Sequence, residues 1–447
     1  MAVCAINAIV TLAALRSPLG KQRRVANSHG NIFVDESCID CDTCRWMAPE
    51  VYGRAGSKSF VHKQPEASQQ AAALAAAVAC PTGSIRTETP DPGMKAVLSS
   101  FPLPIDAARL PHVFHLGYHC AASFGATPYL LTAAPHGNVM IDCPRYNSRL
   151  AKQLDALGGV DVLLLTHMDD VGDMARWKER YPQLQRYMHA ADVRGPKEWP
   201  YIDMRGVEHQ LSDDARSSSS VGESSGRWRV LPGLSAIWTP GHSRGSLSFL
   251  AEASLTGGIE GALFTGDHFC FSGRLGRLDG MARYGWDLPL QSESIRKLAN
   301  EPYLWVLPGH GRRHRFASAN ERVEKVLAAA ESFAADPLGT SAPGPVYVTP
   351  ETTSSSSSSR SSGQVSMMCA GVSEAQHLVR RSALAEQPGW ASGVGVMLRD
   401  LEHLIDEWTE ARMTSLMKRS TSWRRRAGWS GRRTLAARAM CSTARRS

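Results

Sequence analysis

Four cysteines near the N-terminus have the type and spacing of cluster ligands. Two residues separate Cys38 from Cys41 and Cys41 from Cys44, so one tight loop can present three thiolates to three corners of a cubane iron–sulfur cluster. Cys80, directly before Pro81, supplies a fourth thiolate. A structural zinc site or a disulfide pair is the alternative, but zinc sites usually contain two Cys-x-x-Cys pairs. The spacing favours an iron–sulfur cluster.

The same segment indicates one cluster and not two. In two-cluster ferredoxins the run continues for three residues to a further Cys-Pro pair, whereas Ala48 and Pro49 stand there in this chain. Residues Asn31–Arg86 resemble single-cluster bacterial-type ferredoxins. The resemblance implies a [4Fe–4S] cluster, or [3Fe–4S] if one corner is labile, held by the four cysteines.

A second set of candidate ligands extends from His167 to His310. His167 follows an apolar run in LLLTHMDDVGD, His242 lies in WTPGHSRGS, Asp267 in FTGDH and His310 in LPGHGRRH. Each stands in a loop after a strand-like run, where several loops can converge on one ion. Imidazole and carboxylate together suit zinc, iron or manganese. The pattern predicts a site for one or two divalent metals.

The order of these loops resembles the metallo-β-lactamase superfamily, whose motifs run T-H-x-H-x-D-H, P-G-H-T/S, F-x-G-D and G-H-G. The resemblance implies an αββα sandwich and thus an α+β chain in which this sandwich follows a ferredoxin-like module. The first loop departs from the pattern, because Asp169 replaces the second histidine and Met174 follows Asp173. Ferredoxin fusions of plant, algal and cyanobacterial type have a loop H-x-D-D-x-x-D-H, which this chain matches except for the final histidine.

The superfamily resemblance implies a set of metal ligands. They are His167, Asp169, Asp173, His242, Asp267 and His310. Carboxylate in place of imidazole shifts the preference from zinc toward iron or manganese. Met174 is a poor ligand, so a second metal is predicted to bind weakly unless Asp170 or His268 replaces the missing histidine. A dinuclear site, a mononuclear site and a site without metal remain open.

The leading hypothesis is a metal-dependent hydrolase of an ester- or thioester-type small molecule, with the cluster in redox coupling or sensing. A bound metal lowers the pKa of water and polarises a carbonyl, and Asp173 is expected to orient the resulting hydroxide or to accept its proton. Arg312, Arg313 and His314 either hold an anionic group of the substrate or form a solvated loop. One alternative is a diiron-type oxidoreductase fed by the cluster, which would replace the fused flavin domain of the flavodiiron proteins of this fold. The other is a non-catalytic electron-transfer or interaction protein with a decayed metal site and an electron donor or acceptor protein as its partner.

Composition agrees with a globular chain of two or three domains. Of 447 residues, 43% are hydrophobic and 21% charged, and no apolar run is long enough to span a membrane. Residues 1–34 and 411–447 hold four and eleven basic residues and no acid, so the overall charge of +8 leaves residues 35–410 at −7. An acidic body argues against nucleic acid as a partner.

The chain divides into seven predicted segments. They are a transit peptide or disordered leader (1–29), the iron–sulfur domain (30–88), a Pro-rich linker (89–111), the metallo-β-lactamase-fold domain (112–350), a Ser-rich linker (351–365), a helical extension (366–411) and a basic disordered tail (412–447). The leader has no acidic residue, which is typical of organellar targeting. The chloroplast stroma is the expected location, with mitochondrion or cytoplasm as alternatives.

Overall fold

The structure is a computed structural model. It describes residues 21–132, 137–193, 204, 206–212, 222–224 and 226–340. The first twenty residues of the predicted leader and every segment predicted beyond residue 340 lie outside the described residues. Within the described part of the chain, no helix has both the length and the apolarity to cross a membrane.

The N-terminal module consists of two small antiparallel sheets and two helices. Its elements are β1 (Ile32–Val34), α1 (Thr43–Met47), β2 (Tyr52–Ala55), β3 (Lys58–Val61), α2 (Gln70–Ala79) and β4 (Ile85–Thr87). β1 pairs with β4, and β2 pairs with β3. Cys44 lies on α1, and Cys80 follows α2 directly. The small alanine side chains of α2 let the two helices pack closely, which brings the cysteine loop to Cys80.

The last residues of the predicted leader belong to this module. The Arg24 guanidinium donates to the carbonyl of Ser59 at 2.5 Å. Asn27 Oδ1 accepts hydrogen bonds from the amides of Val34 at 3.0 Å and Val61 at 2.9 Å. These bonds fix the two small sheets to each other. The predicted leader is therefore too long at its C-terminal end.

The segment predicted as a Pro-rich linker is folded. It forms helix α3 (Met94–Ser100), with Val97 buried, and strand β5 (Leu103–Asp106). β5 is the edge strand of a large sheet, where Pro104 is tolerated because an edge strand has unpaired amides. The prediction of a linker rested on the proline content of this segment. It was wrong because the prolines flank the helix and do not interrupt it.

The second domain contains two seven-stranded sheets. The first has the order β11-β10-β9-β8-β7-β6-β5 and adds β6 (Leu110–His115), β7 (Tyr129–Thr132), β8 (Asn138–Ile141), β9 (Val162–Leu164), β10 (Gln185–His189) and β11 (His209–Leu211). The second has the order β12-β13-β14-β15-β16-β19-β20 and consists of β12 (Gly222–Ser224), β13 (Arg227–Leu231), β14 (Leu234–Trp238), β15 (Leu247–Ala251), β16 (Ala262–Gly266), β19 (Trp305–Pro308) and β20 (His314–Arg315). Between β16 and β19 lies the hairpin of β17 (Phe269–Ser272) and β18 (Arg277–Gly280).

Helices cover the outer faces of both sheets. They are α4 (Ser148–Ala156), α5 (Met174–Arg180), α6 (Ala190–Val193), α8 (Leu288–Lys297) with a 3₁₀ turn (Leu298–Asn300), and α9 (Ala319–Ala335), whereas the short α7 (Ala253–Thr256) contributes Leu255 to the core between the sheets. Alternate strand residues face opposite sides. In β7, Tyr129 lies between the sheets and Leu130 faces the helices; in β16, Phe264 lies between the sheets and Leu263 faces α8 and α9. The predicted αββα sandwich is confirmed.

One hydrophobic core is common to the two domains. Ile32 and Leu74 of the N-terminal module belong to the same buried cluster as Leu130 and Met140 on the outer face of the first sheet. Phe101 of the former linker, 2% exposed, belongs to it as well. The module and the sandwich therefore pack as one unit and are not separated by a flexible linker.

Candidate functional site

The ligand loops meet at one edge of the sandwich because of strand direction. β16 and β19 are parallel neighbours, and β14 runs parallel to them because it pairs antiparallel with β15, which pairs antiparallel with β16. His242, Asp267 and His310 follow the ends of these three strands, and His167 follows β9 of the other sheet. The order of motifs along the chain thus becomes a cluster in space.

Three side chains converge on one point at the strand ends, and Asp267 lies beside two of them. Donor atoms of His167, Asp169 and His242 lie within 4.8 Å of one another. His167 Nε2 is 3.8 Å from Asp169 Oδ2, and Asp267 Oδ2 is 3.9 Å from His167 Nε2 and 3.7 Å from His242 Nε2. His167 Nε2 is buried without a hydrogen-bond partner among the described residues. Two imidazoles and two carboxylates so arranged fit a divalent cation.

Hydrogen bonds from behind the site fix which imidazole nitrogen faces it. The Thr166 hydroxyl, 3.0 Å from Asp142 Oδ2, donates to that carboxylate, so its oxygen accepts from His167 Nδ1 at 3.0 Å. His242 Nδ1 donates to the carbonyl of Met281 at 3.2 Å. In both rings Nδ1 carries the hydrogen and Nε2 keeps its lone pair, as a metal ligand requires.

The protonation states are also those of ligands. Burial lowers the pKa of His167 to about 4, although Asp267 acts in the opposite direction. Burial likewise lowers the pKa of His242. Burial alone would raise the pKa of Asp267, but His310, His167 and His242 outweigh it and hold this pKa well below its usual range. Neutral imidazoles beside an ionised carboxylate are ready to bind a cation.

Asp170, considered above only as a replacement for the missing histidine, lies deep in the site. Its side chain is fully buried, and neither carboxylate oxygen has a hydrogen-bond partner among the described residues. It forms a second group of converging donors with His167 and Asp267, its Oδ2 lying 3.9 Å from His167 Nδ1. Burial, and then the charges of Asp267 and Asp142, raise its pKa well above the usual value. A buried carboxylate without a partner is costly, and a cation would compensate for it.

The structure does not bring Asp173 into either group of donors. Asp173 Oδ2 accepts a hydrogen bond from the amide of Tyr146 at 2.7 Å, and α5 begins directly after it. Met174, in the position of the missing histidine, is 1% exposed and packs in the hydrophobic core. Asp170, and not the predicted Asp173, therefore lies in a group of converging donors. Between them stands Gly172, whose positive φ of 40° marks a turn of the chain.

His310 contacts the centre through Asp267. Its Nδ1 donates to Asp267 Oδ1 at 2.7 Å, its backbone amide donates to the same oxygen at 3.1 Å, and its buried Nε2 has no partner among the described residues. Burial acts to lower the pKa of His310, but Asp267 outweighs it and raises this pKa. His268, the other substitute considered, lies in neither group of converging donors.

Asp192 joins two ligand loops by hydrogen bonds. No sequence motif predicted a role for it. Its carboxylate accepts hydrogen bonds from the amide of Met168 at 3.0 Å, the hydroxyl of Ser243 at 2.6 Å and the amide of Gly245 at 2.6 Å. These neighbours flank His167 and His242. Burial raises its pKa to about 6 despite these donors. Its only sequence signal is an aspartate shortly after a strand.

The four predicted cluster ligands line one cavity. Cys38, Cys41, Cys44 and Cys80 are free thiols that surround a common space. Burial, and then the neighbouring Cys80, raise the pKa of Cys41 to about 12. The amide of Ser59 lies 3.4 Å from Cys38 Sγ. Four converging cysteines, Cys44 and Cys80 buried and Cys38 and Cys41 half-buried, with a backbone donor suit an iron–sulfur cluster, whose iron stabilises the thiolates.

Comparison with known families supports this assignment. Residues 34–87 match the family described as the 4Fe-4S single cluster domain of Ferredoxin I. The N-terminal module is a single-cluster ferredoxin domain. The rest of the described chain is the metallo-β-lactamase-fold domain, by its two sheets, flanking helices and strand-end ligand loops. The protein is thus a fusion of the two.

Solved structures with low similarity include several metallo-β-lactamases. A metallo-β-lactamase with the HARLDQ motif from Cronobacter sakazakii is 19% identical, with 55% of this chain and 100% of that chain covered and a TM-score of 0.36. BJP-1, a subclass B3 enzyme of Bradyrhizobium japonicum, is 17% identical, with 53% and 96% covered and a TM-score of 0.35. Scores this low carry no argument about function. No curated protein sequence matches the chain.

The loop after His310 contacts the ferredoxin domain instead of holding a substrate anion. Arg312 Nε donates to Asp42 Oδ2 at 3.3 Å. The Arg313 guanidinium lies 4.5 Å from the ring centre of Trp46. His314 stacks on an aromatic ring. The predicted anion-binding role of these side chains is therefore not supported, because they are engaged in packing.

Exposed aromatic residues lie beside the His242 loop. Tyr284 and Trp286 are 40% and 50% exposed, and the amide of Trp286 donates to the carbonyl of His242 at 2.9 Å. Phe124 stacks on Tyr284 with ring centres 6.3 Å apart, and the Arg244 guanidinium lies 4.8 Å from the Trp286 ring. We call these four side chains the aromatic rim. It offers apolar surface and positive charge next to the ligand loops.

Proposed function

We propose that this protein is a metal-dependent hydrolase of an ester- or thioester-type small molecule, and that its fused cluster couples the activity to a redox partner. The observation that carries the proposal is a pair of overlapping groups of converging donor atoms, His167 with Asp169 and His242, and His167 with Asp170 and Asp267, in which His167 Nε2 and both Asp170 oxygens have no partner among the described residues. Structural polar clusters normally satisfy their own buried atoms, and this cluster does not.

The side chains divide the chemical tasks between them. A divalent cation held by the four donors would supply Lewis acidity toward a carbonyl group and lower the pKa of water. Burial and the charge of Asp267 raise the pKa of Asp170 well above its usual value, and the side chain lies beside the centre, where it would exchange a proton with the bound water. In the aromatic rim, Trp286 and Tyr284 would pack against the acyl group, and Arg244 would pair with an anionic group of the substrate.

The test is hydrolysis by protein loaded with zinc, manganese or ferrous iron, using a set of 4-nitrophenyl esters and acyl thioesters. We expect His242→Ala and Asp170→Asn each to lower kcat/KM at least 100-fold while cluster absorbance is retained, since a lost ligand or base typically costs this much. Thr340→Val, at an exposed site, is the matched control. Hydrolysis that survives in His242→Ala would refute the proposal.

A second candidate is a diiron-type oxidoreductase that receives electrons from the cluster. It is favoured by the three carboxylates at the centre, which suit iron, and by the ion pair of Arg312 with Asp42, which joins the His310 loop to the cluster loop. Iron-loaded protein reduced with dithionite should then consume oxygen or nitric oxide. Cys80→Ser separates the two functions, because it should abolish this turnover and leave ester hydrolysis intact.

A further inference from the structure

The second domain forms part of the wall around the cluster. Gly125 has a positive φ of 91°, and a Cβ placed there would lie 2.9 Å from Cys41 Cβ and 3.0 Å from Pro81 Cγ. The amide of His119 donates to the carbonyl of Ala79 at 3.2 Å. Backbone of the second domain thus packs directly on the loop of one cluster ligand and beside another.

Behind this wall lie two buried histidines in contact. His115 and His119 are 2% and 0% exposed, and their Nε2 atoms are 2.7 Å apart. His119 Nδ1 is 2.8 Å from the carbonyl oxygen of Gly125, which can only accept, so Nδ1 carries the hydrogen. Burial lowers the pKa of His119 to about 3, so the ring is neutral. Its Nε2 therefore accepts from Nε2–H of His115.

The pair reaches a cluster sulfur through one hydroxyl group. Thr43 Oγ1 lies 3.2 Å from His119 Nδ1 and 3.3 Å from Cys41 Sγ. The one hydrogen on Nδ1 points mainly to Gly125 at 2.8 Å, and the Thr43 oxygen can share it only as the longer arm of a bifurcated bond. Because Nδ1 carries a hydrogen it cannot accept from Thr43, so the Thr43 hydrogen is available to the sulfur. A thiolate bound to iron has no hydrogen and can only accept. The direction of every hydrogen bond from His115 to Cys41 is thereby fixed.

We propose that His119 is a positioning residue by which the second domain raises the reduction potential of the cluster. Hydrogen bonds to ligand sulfurs stabilise the added negative charge of the reduced cluster, so they favour reduction. His119 orients the Thr43 hydroxyl toward Cys41, and His115 holds His119 in the required tautomer. This tuning is independent of whether the metal centre hydrolyses or reduces its substrate.

The test is a redox titration of the full chain, with dithionite as reductant and electron paramagnetic resonance of the reduced cluster as readout. We expect Thr43→Val to lower the potential, since it removes the hydroxyl but keeps the shape. A tenfold change in the one-electron equilibrium corresponds to about 59 mV. His119→Leu should lower it less, and His119→Gln, which keeps a donor and an acceptor, should restore it. Thr89→Val, an exposed change directly after the ferredoxin domain, is the control.

Iron and acid-labile sulfide per chain are measured for every variant, so that potentials are compared at equal cluster content. A wild-type potential in both Thr43→Val and His119→Leu would overturn the proposal. An equal shift in His119→Gln and His119→Leu would also overturn it, because the effect would then come from packing. If His119→Leu lacks a cluster, the pair of Thr43→Val and His119→Gln decides by itself.

Discussion

Arg312 Nε lies 3.3 Å from Asp42 Oδ2, and this single ion pair joins the two candidate centres. Arg312 follows His310 by two positions, and Asp42 follows Cys41 directly. The side chains are 27% and 14% exposed, so the pair is partly screened and contributes little stability by itself. Its importance is geometric, because it fixes a metal-ligand loop against a cluster-ligand loop.

The common core predicts that the two domains unfold together. Trp46→Ala removes the ring that packs against Arg313 and, at 5.4 Å, against His115. We expect the free energy of unfolding to fall by about 2 kcal/mol, as for a partly buried aromatic residue. Thermal unfolding followed by cluster absorbance and by far-ultraviolet circular dichroism should shift by the same amount in both signals. Trp286→Ala, in the exposed rim, should shift neither; a shift in cluster absorbance alone would contradict a common core.

Thr166 is expected to control metal affinity without binding metal. Thr166→Val keeps the shape of the side chain but removes the hydroxyl between Asp142 and His167, so Nε2 of the ring is no longer held as the free nitrogen. We expect metal affinity to fall by about 10- to 100-fold, the usual cost of losing such an outer partner. Calorimetric titration of chelator-treated protein with zinc measures it. An unchanged affinity would show that the tautomer is fixed elsewhere.

Asp170→Asn should have opposite effects with and without metal. In metal-free protein it removes a carboxyl group whose ionisation costs stability, so the free energy of unfolding should rise relative to wild type by about 2 kcal/mol, and more as the pH rises. In metal-loaded protein it removes a donor or base, so metal-dependent stabilisation should shrink. Denaturant unfolding with and without saturating metal gives both values. A loss of stability in the metal-free form would mean that Asp170 has a structural partner.

Gly125→Ala tests the wall around the cluster, and Gly83→Ala provides its matched control. Both glycines have positive φ, 91° and 62°, so both substitutions carry the same kind of backbone strain, about 1 kcal/mol. Only at Gly125 would the new Cβ overlap Cys41 and Pro81; nothing lies within 4 Å at Gly83. We expect acid-labile sulfide per chain to drop in Gly125→Ala alone. Equal losses would assign the effect to strain.

Asp279, which lies outside the metal centre, should make the stability of the protein depend on pH. Burial raises its pKa to about 6, although Arg277 partly opposes this. An acid whose folded-state pKa is raised loses stability as the pH rises from its unfolded value, about 4, to its folded value. Asp279→Asn should therefore gain about 1 kcal/mol relative to wild type between pH 5 and pH 7.5. Melting temperatures at the two pH values measure it; a constant difference would contradict the raised pKa.

Much of the site could be predicted from the sequence, because ligands directly after strands keep their order in any sandwich of this kind. His167, Asp169, His242 and Asp267 do converge. Which further aspartate of the first loop faces the centre could not be predicted. That choice depends on a turn whose direction is set by packing and not by residue type.

Long-range contacts explain the other differences. Asp192 lies on a short helix after β10, and only the packing of the two sheets brings it to Ser243 and Gly245. Arg312 and Arg313 have the composition of an anion site, but they face the ferredoxin domain. The former linker is ordered because Val97 and Phe101 are buried in the common core. None of these partners is near in sequence.

The close contact of Gly125 with Cys41 also bears on when the cluster is inserted relative to the folding of the second domain. A cubane cluster is too large to pass a backbone that lies against its ligand loop. We therefore expect the cluster to be inserted while the Gly125 segment is open, before the second domain completes its folding. Repair of a cluster damaged by oxygen would require the same segment to open again. On this expectation, maturation and repair would share one reversible local unfolding step.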